Sequence, residues 1–500
     1  MSKKQWCAKS TYLLVALALV LSLGLVAVPM AGTVEANGGE DYYVATTGNN
    51  ANDGLSWATA WKTITHAVEN SPVTTGDVIH VADGLYNPAN GENFPIDFIT
   101  NGVSLIGAGG DTSIIDSNNQ ETNILNIWVN GVSISDFELR NAEATWWAST
   151  GNGIYMNAAD DCHISNVEIY HLTQGSGTAA REPAGIFMEN GSSGNTFNSI
   201  EIYDISSEYQ PRGIWCHDCS GNQFTDIYIH DVNNTGMLTD SAAYGIHLSS
   251  CEGNTFDDIR INSISGGEWG EGIQVSWLGS NTFGDLSISN IYGGQYAYGI
   301  LLLESSDNIF GSNSEICYID AEGGLSIGVA MECNPSSGYL GSNRNTFESF
   351  DIHNTCYGFK IEKSDDNFIT KCNIHDNYSE GVHICSGCFE STGNKLNCNN
   401  IYDNADYGVY KEYTPSVDAT GNWWGDAHGP SHSPGNGDKV SDNVAYDPYL
   451  SFQFQYCGQC GGAIPQPSAV PAVDHWGIAA MITLFAGLLV WRVRRRRLAS

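Results

Sequence analysis

Lys360, Glu332, Glu362 and His383 are the residues of this 500-residue chain whose types and spacing suit acid–base or metal chemistry. Each stands at a fixed offset from a recurring glycine. Lys360 and His383 are second after Gly358 and Gly381; Glu332 and Glu362 are fourth after Gly328 and Gly358. If each glycine opens an equivalent strand, neighbouring residues alternate faces, and offsets two and four point outward together. Glu332 and Glu362 then stand on neighbouring strands, about 5 Å apart at the backbone. Two carboxylates that close can share a proton or hold Ca²⁺. Lys360 is the only lysine in its column. A surface salt bridge from Lys360 to Glu332 or Glu362 accounts for the same cluster without any chemistry.

Other columns offer different chemistry. The second-offset column begins Tyr155, Phe187, Trp215, His247. Aromatic faces stack on sugar rings, and a long groove beside such a strip suits a polymer. A further column holds His230, His353 and His375, followed by Asp231, Asn354 and Asp376. A histidine beside an aspartate can be a base with its orienting partner, but Asp and Asn at that place also cap turns. Fourteen cysteines are present, and Cys219 and Cys251 lie three residues before Asn222 and Asn254. They therefore share a column on adjacent strands, near the separation a disulfide needs. The C-x-x-C pairs at Cys216, Cys385 and Cys457 fall far apart along the stack. Disulfides or buried thiols are expected there rather than one shared zinc site.

The element that positions all of these is a repeat. Glycines 153, 185, 213, 245, 272, 299, 328, 358, 381 and 408 each precede an apolar–any–apolar triplet. A second marker interleaves at Asn195, Asn222, Asn254, Asn281, Asn308, Asn345, Asn367 and Asn394, spaced by 27, 32, 27, 27, 37, 22 and 27. Within each unit apolar residues alternate with period two and are rich in Ile, Val and Phe, the pattern of short strands. A unit of this size cannot bury its apolar face alone, so the units must stack. The expected fold is all-β, a right-handed parallel β-helix, with like residues in columns and the asparagines bonded from rung to rung. The rungs resemble the pectin-lyase-like β-helix superfamily. Lyases of that superfamily remove the C5 proton of a uronic acid with a basic side chain and metal-assisted charge neutralisation. The resemblance implies Lys360 as the base, with Glu332 and Glu362 positioning calcium or the substrate carboxylate and His383 beside them. Against an enzyme stand the missing signatures of the superfamily: no G-H-G or N-T-D, no R-x-P-x-x-R, no D-P-H-D.

The ends read differently. Lys3, Lys4 and Lys9 precede an apolar run that closes at Val34-Glu35-Ala36, the form of a secretory signal peptide, residues 1–36. Residues 37–110 form an N-terminal cap, and Trp57, Trp61, Ile64 and Val68 have helical spacing there. Tyr43, Val44, Gly48, Asp53, Gly54, Ser56, Trp57, Thr59 and Ala60 resemble the opening segment of many secreted bacterial β-helix proteins. Rungs follow over 111–412, and a C-terminal cap over 413–450, where Trp423 and Trp424 are expected to plug the core. A linker spans 451–474. An apolar segment at 475–491, expected as a transmembrane helix, precedes a basic tail at 492–500. That tail, with Val470, Pro471, Trp476 and Gly477, resembles bacterial surface-sorting signals.

Net charge is −36, which argues against nucleic acid as a partner and leaves room for divalent cations. The reading adopted is an exported, monomeric β-helix protein, at the cell surface or extracellular, anchored in the membrane through its C-terminal segment or processed there. It binds polysaccharide or another envelope polymer along its side. The alternative is a calcium-assisted lyase or a glycoside hydrolase acting on a uronate polymer. A third reading, metal handling as in β-helix proteins that assist periplasmic copper enzymes, is opposed by only seven methionines and by scattered histidines.

Overall fold

The computed structural model describes residues 39–453, apart from 110–111, 145–150, 175–181, 237–240, 312, 334–340, 386–389 and 432–433. The chain coils into a right-handed parallel β-solenoid, and the predicted architecture holds over the repeats. Twelve strands form a narrow sheet, one per rung, and a wide sheet of 22 strands wraps the remaining sides. The wide-sheet strands are long because they bend without breaking. The strand Thr196–Ser207 turns at Ser199 and Asp204, and Gln223–Asn234 turns at Asp226 and Asp231, each with positive φ. Asp, Asn and Ser fill these corners because short polar side chains tolerate the left-handed region.

Two ladders hold the stack. Inside, Phe197, Phe224, Phe256, Phe283, Phe310 and Phe347 pile with centroids 4.5–5.0 Å apart. Beside them the asparagines form the expected column. Asn222 Nδ2 donates to Asn254 Oδ1 at 3.0 Å, and Asn254 Nδ2 to Asn281 Oδ1 at 3.0 Å. Each backbone N–H also donates to the next asparagine, as Asn254 N does to Asn281 Oδ1 at 3.1 Å. Every link therefore satisfies polar groups that would otherwise lie unpaired in an apolar core. The repeat glycines are required by close approach rather than by φ. A Cβ on Gly272 would lie 2.5 Å from the Gly299 carbonyl oxygen and 2.8 Å from Ile288 Cγ2.

The N-terminal cap carries less helix than the spacing predicts. Trp57–Thr59 is a single 3-10 turn and His66–Asn70 a single π-helical turn. Buried Glu92 accepts from the N–H groups of Ile64 and Thr65 at 2.6 and 2.9 Å, and this satisfies the start of the turn without a longer helix. At the other end Trp424 is fully buried, as a plug must be, while Trp423 is only half-buried and packs on Tyr402. The signal peptide, linker, apolar segment and basic tail lie outside the described residues. No helix among the described residues is long and apolar enough to cross a membrane.

Candidate functional site

The columns read from sequence are the columns of the structure. Tyr155, Phe187, Trp215 and His247 stand on four consecutive rungs of the narrow sheet. Lys360 and His383 continue the same column towards the C-terminal end. Between the two groups it passes through Gln274, Leu301 and Ala330. Leu301 and Ala330 face outward yet are buried, packed with Tyr298 and Ile327 in a second, smaller apolar cluster outside the main core. The outer face of the narrow sheet is therefore covered over its middle rungs.

The aromatic strip uses its ring faces on itself. Phe187 and Trp215 stack at 4.1 Å and 12°, and Phe187 is 4% exposed. The Arg212 guanidinium lies over the Trp215 ring, 4.1 Å from its centroid. Arg212 is itself buried. It pairs with Glu182, donates to Gln210 Oε1 at 2.7 Å, and donates through Nε to His247 Nδ1 at 3.1 Å. Burial, with the Arg212 charge second, pushes the His247 pKa well below its ordinary value, so His247 is neutral.

The charged cluster is closed as well. Lys360 Nζ lies 2.7 Å from Glu332 Oε1 and 3.1 Å from Glu362 Oε2. Burial opposes its charge, but the two carboxylates outweigh burial and hold the Lys360 pKa above the usual lysine value. The ammonium thus sits between the two carboxylates that the sequence offered to calcium. His383 Nδ1 is buried and makes no hydrogen bond; its nearest carboxylate, on Glu380, is 3.9 Å away.

One residue of this face was not expected. Glu271, immediately before Gly272, is 1% exposed, and its Oε2 has no hydrogen-bond partner. Burial first, and the Glu332 charge second, raise its pKa from about 4.5 to about 8, with Arg212 pulling the other way. Gln274 Oε1, Trp215 Nε1 and Trp269 Nε1 are also buried and unpartnered. All four atoms belong to the rungs Arg212–His217 and Trp269–Ser276, with only the rung Ala242–Ser249 between them. The available signal was an acidic residue at the position where other rungs carry Ala184, Tyr244 and Tyr298.

The histidine column lies on the wide sheet and is engaged with carboxylates. His230 contacts Asp231 at 2.8 Å and Glu201 at 3.2 Å. His375 contacts Asp376 at 2.7 Å and Asp351 at 2.9 Å. Asp231, Asn354 and Asp376 all have positive φ, so they are corner residues as well as partners. Cys219 and Cys251 do occupy adjacent rungs, and both are free thiols.

Stack, caps and columns define a parallel β-helix protein with one partly covered lateral face. The family described as "Periplasmic copper-binding protein (NosD)" matches residues 172–429, more than half of the chain, and the chain belongs to that family. A periplasmic family is compatible with export. A second family, "Protein of unknown function (DUF1565)", matches residues 46–285. No curated protein matches. Among solved structures, the A-module of Azotobacter vinelandii mannuronan C-5 epimerase AlgE6 is 15% identical, over 77% of this chain and 92% of that one, with TM-score 0.40. The catalytic domain of a GH87 alpha-1,3-glucanase in complex with nigerose is 15% identical, over 66% and 67%, with TM-score 0.40. The Dettilon tailspike protein is 12% identical, over 75% and 62%, with TM-score 0.44. All three scores lie below 0.5, and the fold rests on the strand pairing described above.

Proposed function

We propose that this chain is an exported β-helix protein that binds polysaccharide, or another hydroxyl-rich envelope polymer, along the outer face of its narrow sheet. One observation carries the reading. Glu271, Gln274 and Trp269 on one strand, and Trp215 two rungs before them, each keep a buried polar atom without a partner. Leaving such groups unpaired costs about 1–3 kcal/mol each. A ligand with many hydroxyl groups supplies the missing bonds, and the rings of Trp215 and Trp269 supply apolar contact. Because the atoms are covered in the free chain, binding has to open the face, so association is expected to be slow.

The lyase alternative asks Lys360 to take a proton, which needs a neutral amine. Its two ion pairs hold it charged, so binding is the better supported reading. The test uses residues 37–450 on immobilised pectate, alginate and neutral glucans, with and without Ca²⁺. Retention on one polymer, lowered about tenfold by Glu271→Gln or Trp215→Ala, is the expected outcome. Formation of unsaturated uronate that stops in Lys360→Ala would replace the binding reading with the lyase. Equal retention of all variants would refute the site.

The family description also suggests copper. Copper(I) prefers thioether, thiolate and imidazole donors. The described methionines, Met156, Met188 and Met331, are fully buried in the core and out of reach of an ion. Among the described residues one group of three or more side chains could hold a metal ion, Glu315, Cys317 and His353. Cys317 and His353 suit copper(I), but the carboxylate beside them does not, so the set fits a cuprous ion poorly.

A further inference from the structure

We propose that Glu315, Cys317 and His353 form a binding site for one borderline divalent transition-metal ion of the Zn²⁺ class. The site lies on the wide sheet and is independent of the polymer reading. Cys317 and His353 face each other on adjacent rungs in direct register, and Glu315 stands two residues before Cys317 on the same side of its strand. One donor atom from each lies within 4.8 Å of the other two. Tetrahedral zinc, with bonds of about 2.0–2.3 Å, holds its donors about 3.5 Å apart, so small rotamer changes close the site. Three protein donors leave the fourth position open, the arrangement of zinc sites that bind water or a substrate.

The surroundings favour an ion over the other uses of these groups. On the rungs either side, Cys317 faces Ser289 and His353, so neither neighbour offers a thiol for a disulfide. His353 Nε2 already points at Glu315 Oε1, 3.2 Å away, which aims it into the site. The Asn354 amide contacts His353 Nδ1 at 2.8 Å. By turning its amide it can accept from Nδ1–H and free Nε2 for a metal, the outer support that metal-bound histidines use. His375 stacks beneath His353 at 5.1 Å and 14° and keeps both nitrogens on Asp351 and Asp376, so it holds the ring without competing as a ligand. Cys317 binds as its thiolate, and its proton goes to solvent on binding. Nitrogen, sulfur and oxygen donors together match a borderline ion better than a soft one.

The test uses the full-length chain, reduced and stripped with a chelator, and titrated with Co²⁺ as a coloured substitute for Zn²⁺. Expected are one equivalent bound, a thiolate-to-cobalt charge-transfer band, and its loss on adding Zn²⁺. Cys317→Ser abolishes the band. His353→Gln and Glu315→Gln weaken binding about tenfold or more. Cys162→Ser and Cys372→Ser, which alter core thiols, leave the band unchanged. A readout needing no variant is alkylation of Cys317 followed by mass spectrometry, which Zn²⁺ should slow. A band that survives in Cys317→Ser, no band in the folded chain, unchanged alkylation, or uptake of Cu⁺ with refusal of Co²⁺ and Zn²⁺ would each overturn the proposal.

Discussion

Two sets of buried polar side chains in this molecule are treated in opposite ways. The asparagine column from Asn195 to Asn394 lies inside the coil, and each member bonds to the next through both its amide and its backbone N–H. Glu271 and Gln274 lie under cover on the outer face, and each keeps an atom unpaired. Stacking identical residues makes donor meet acceptor at every rung, so the inner column is satisfied by repetition alone. On the outer face Glu271 is followed by Tyr298 and Gln274 by Leu301, so repetition offers no partner. Buried polarity inside the coil is satisfied by the repeat; on the outer face, where the proposed polymer would bind, the repeat leaves it unsatisfied.

The sharpest way to break the contrast is within the ladder. Asn281→Leu removes the acceptor of Asn254 N and Nδ2 and the donor to the Cys251 carbonyl. We expect a loss of about 3–4 kcal/mol in denaturant unfolding, the sum of stranded buried groups. Glu271→Gln should move stability the other way at neutral pH. The folded-state pKa, about 8, is raised above the unfolded value of about 4.5. The stability this group contributes is therefore complete below about pH 4.5 and is lost as pH rises through 8. At pH 7 the wild-type chain carries a cost of up to about 3 kcal/mol that the glutamine does not. Unfolding measured from pH 4 to pH 9 should show a flatter slope in the variant; parallel curves would refute the shift.

Smaller effects test the charged cluster. Lys360→Met leaves Glu332 and Glu362 facing each other and should cost about 2 kcal/mol, since both are partly solvated. Ca²⁺ should then raise the melting temperature of Lys360→Met and leave the wild type unchanged, which tests the pair as a calcium holder. The smallest effect belongs to the wide-sheet surface. His375 is raised in pKa: burial opposes the charge, but Asp351 and Asp376 outweigh it. Its stability contribution is present below its unfolded pKa and is lost as pH rises through the folded value. His375→Asn should cost under about 1 kcal/mol near pH 6 and less at pH 9, because the partners are half-exposed.

The fold was legible because glycine and asparagine mark each rung and the spacing between them absorbs only insertions. The columns followed directly, down to Glu332, Lys360 and His383. Glu271 escaped because a glycine that opens each strand leaves the position before it outside the strand, whereas the strand here begins at Trp269. In fact Gly272 turns towards Ile288 and the core, which returns its neighbour to the outside. The pairing of Cys317 with His353 escaped for another reason. The long insertion between Asn308 and Asn345 separates them by 36 residues in sequence, while the register sets them opposite each other. Helical spacing in the cap overstated the helix, because Trp61 and Ile64 are held by burial at the end of the stack and single turns suffice to place them.

The asparagine ladder also sets how such a chain can change length over generations. Asn254 hands its bonds to Asn281, 27 residues on, and Asn281 hands equivalent bonds to Asn308, another 27 on. Deleting or duplicating one such stretch of gene joins an asparagine to an equivalent asparagine and leaves both ends untouched. The coil can thus lengthen or shorten in whole steps, while half a step would set the strands out of register.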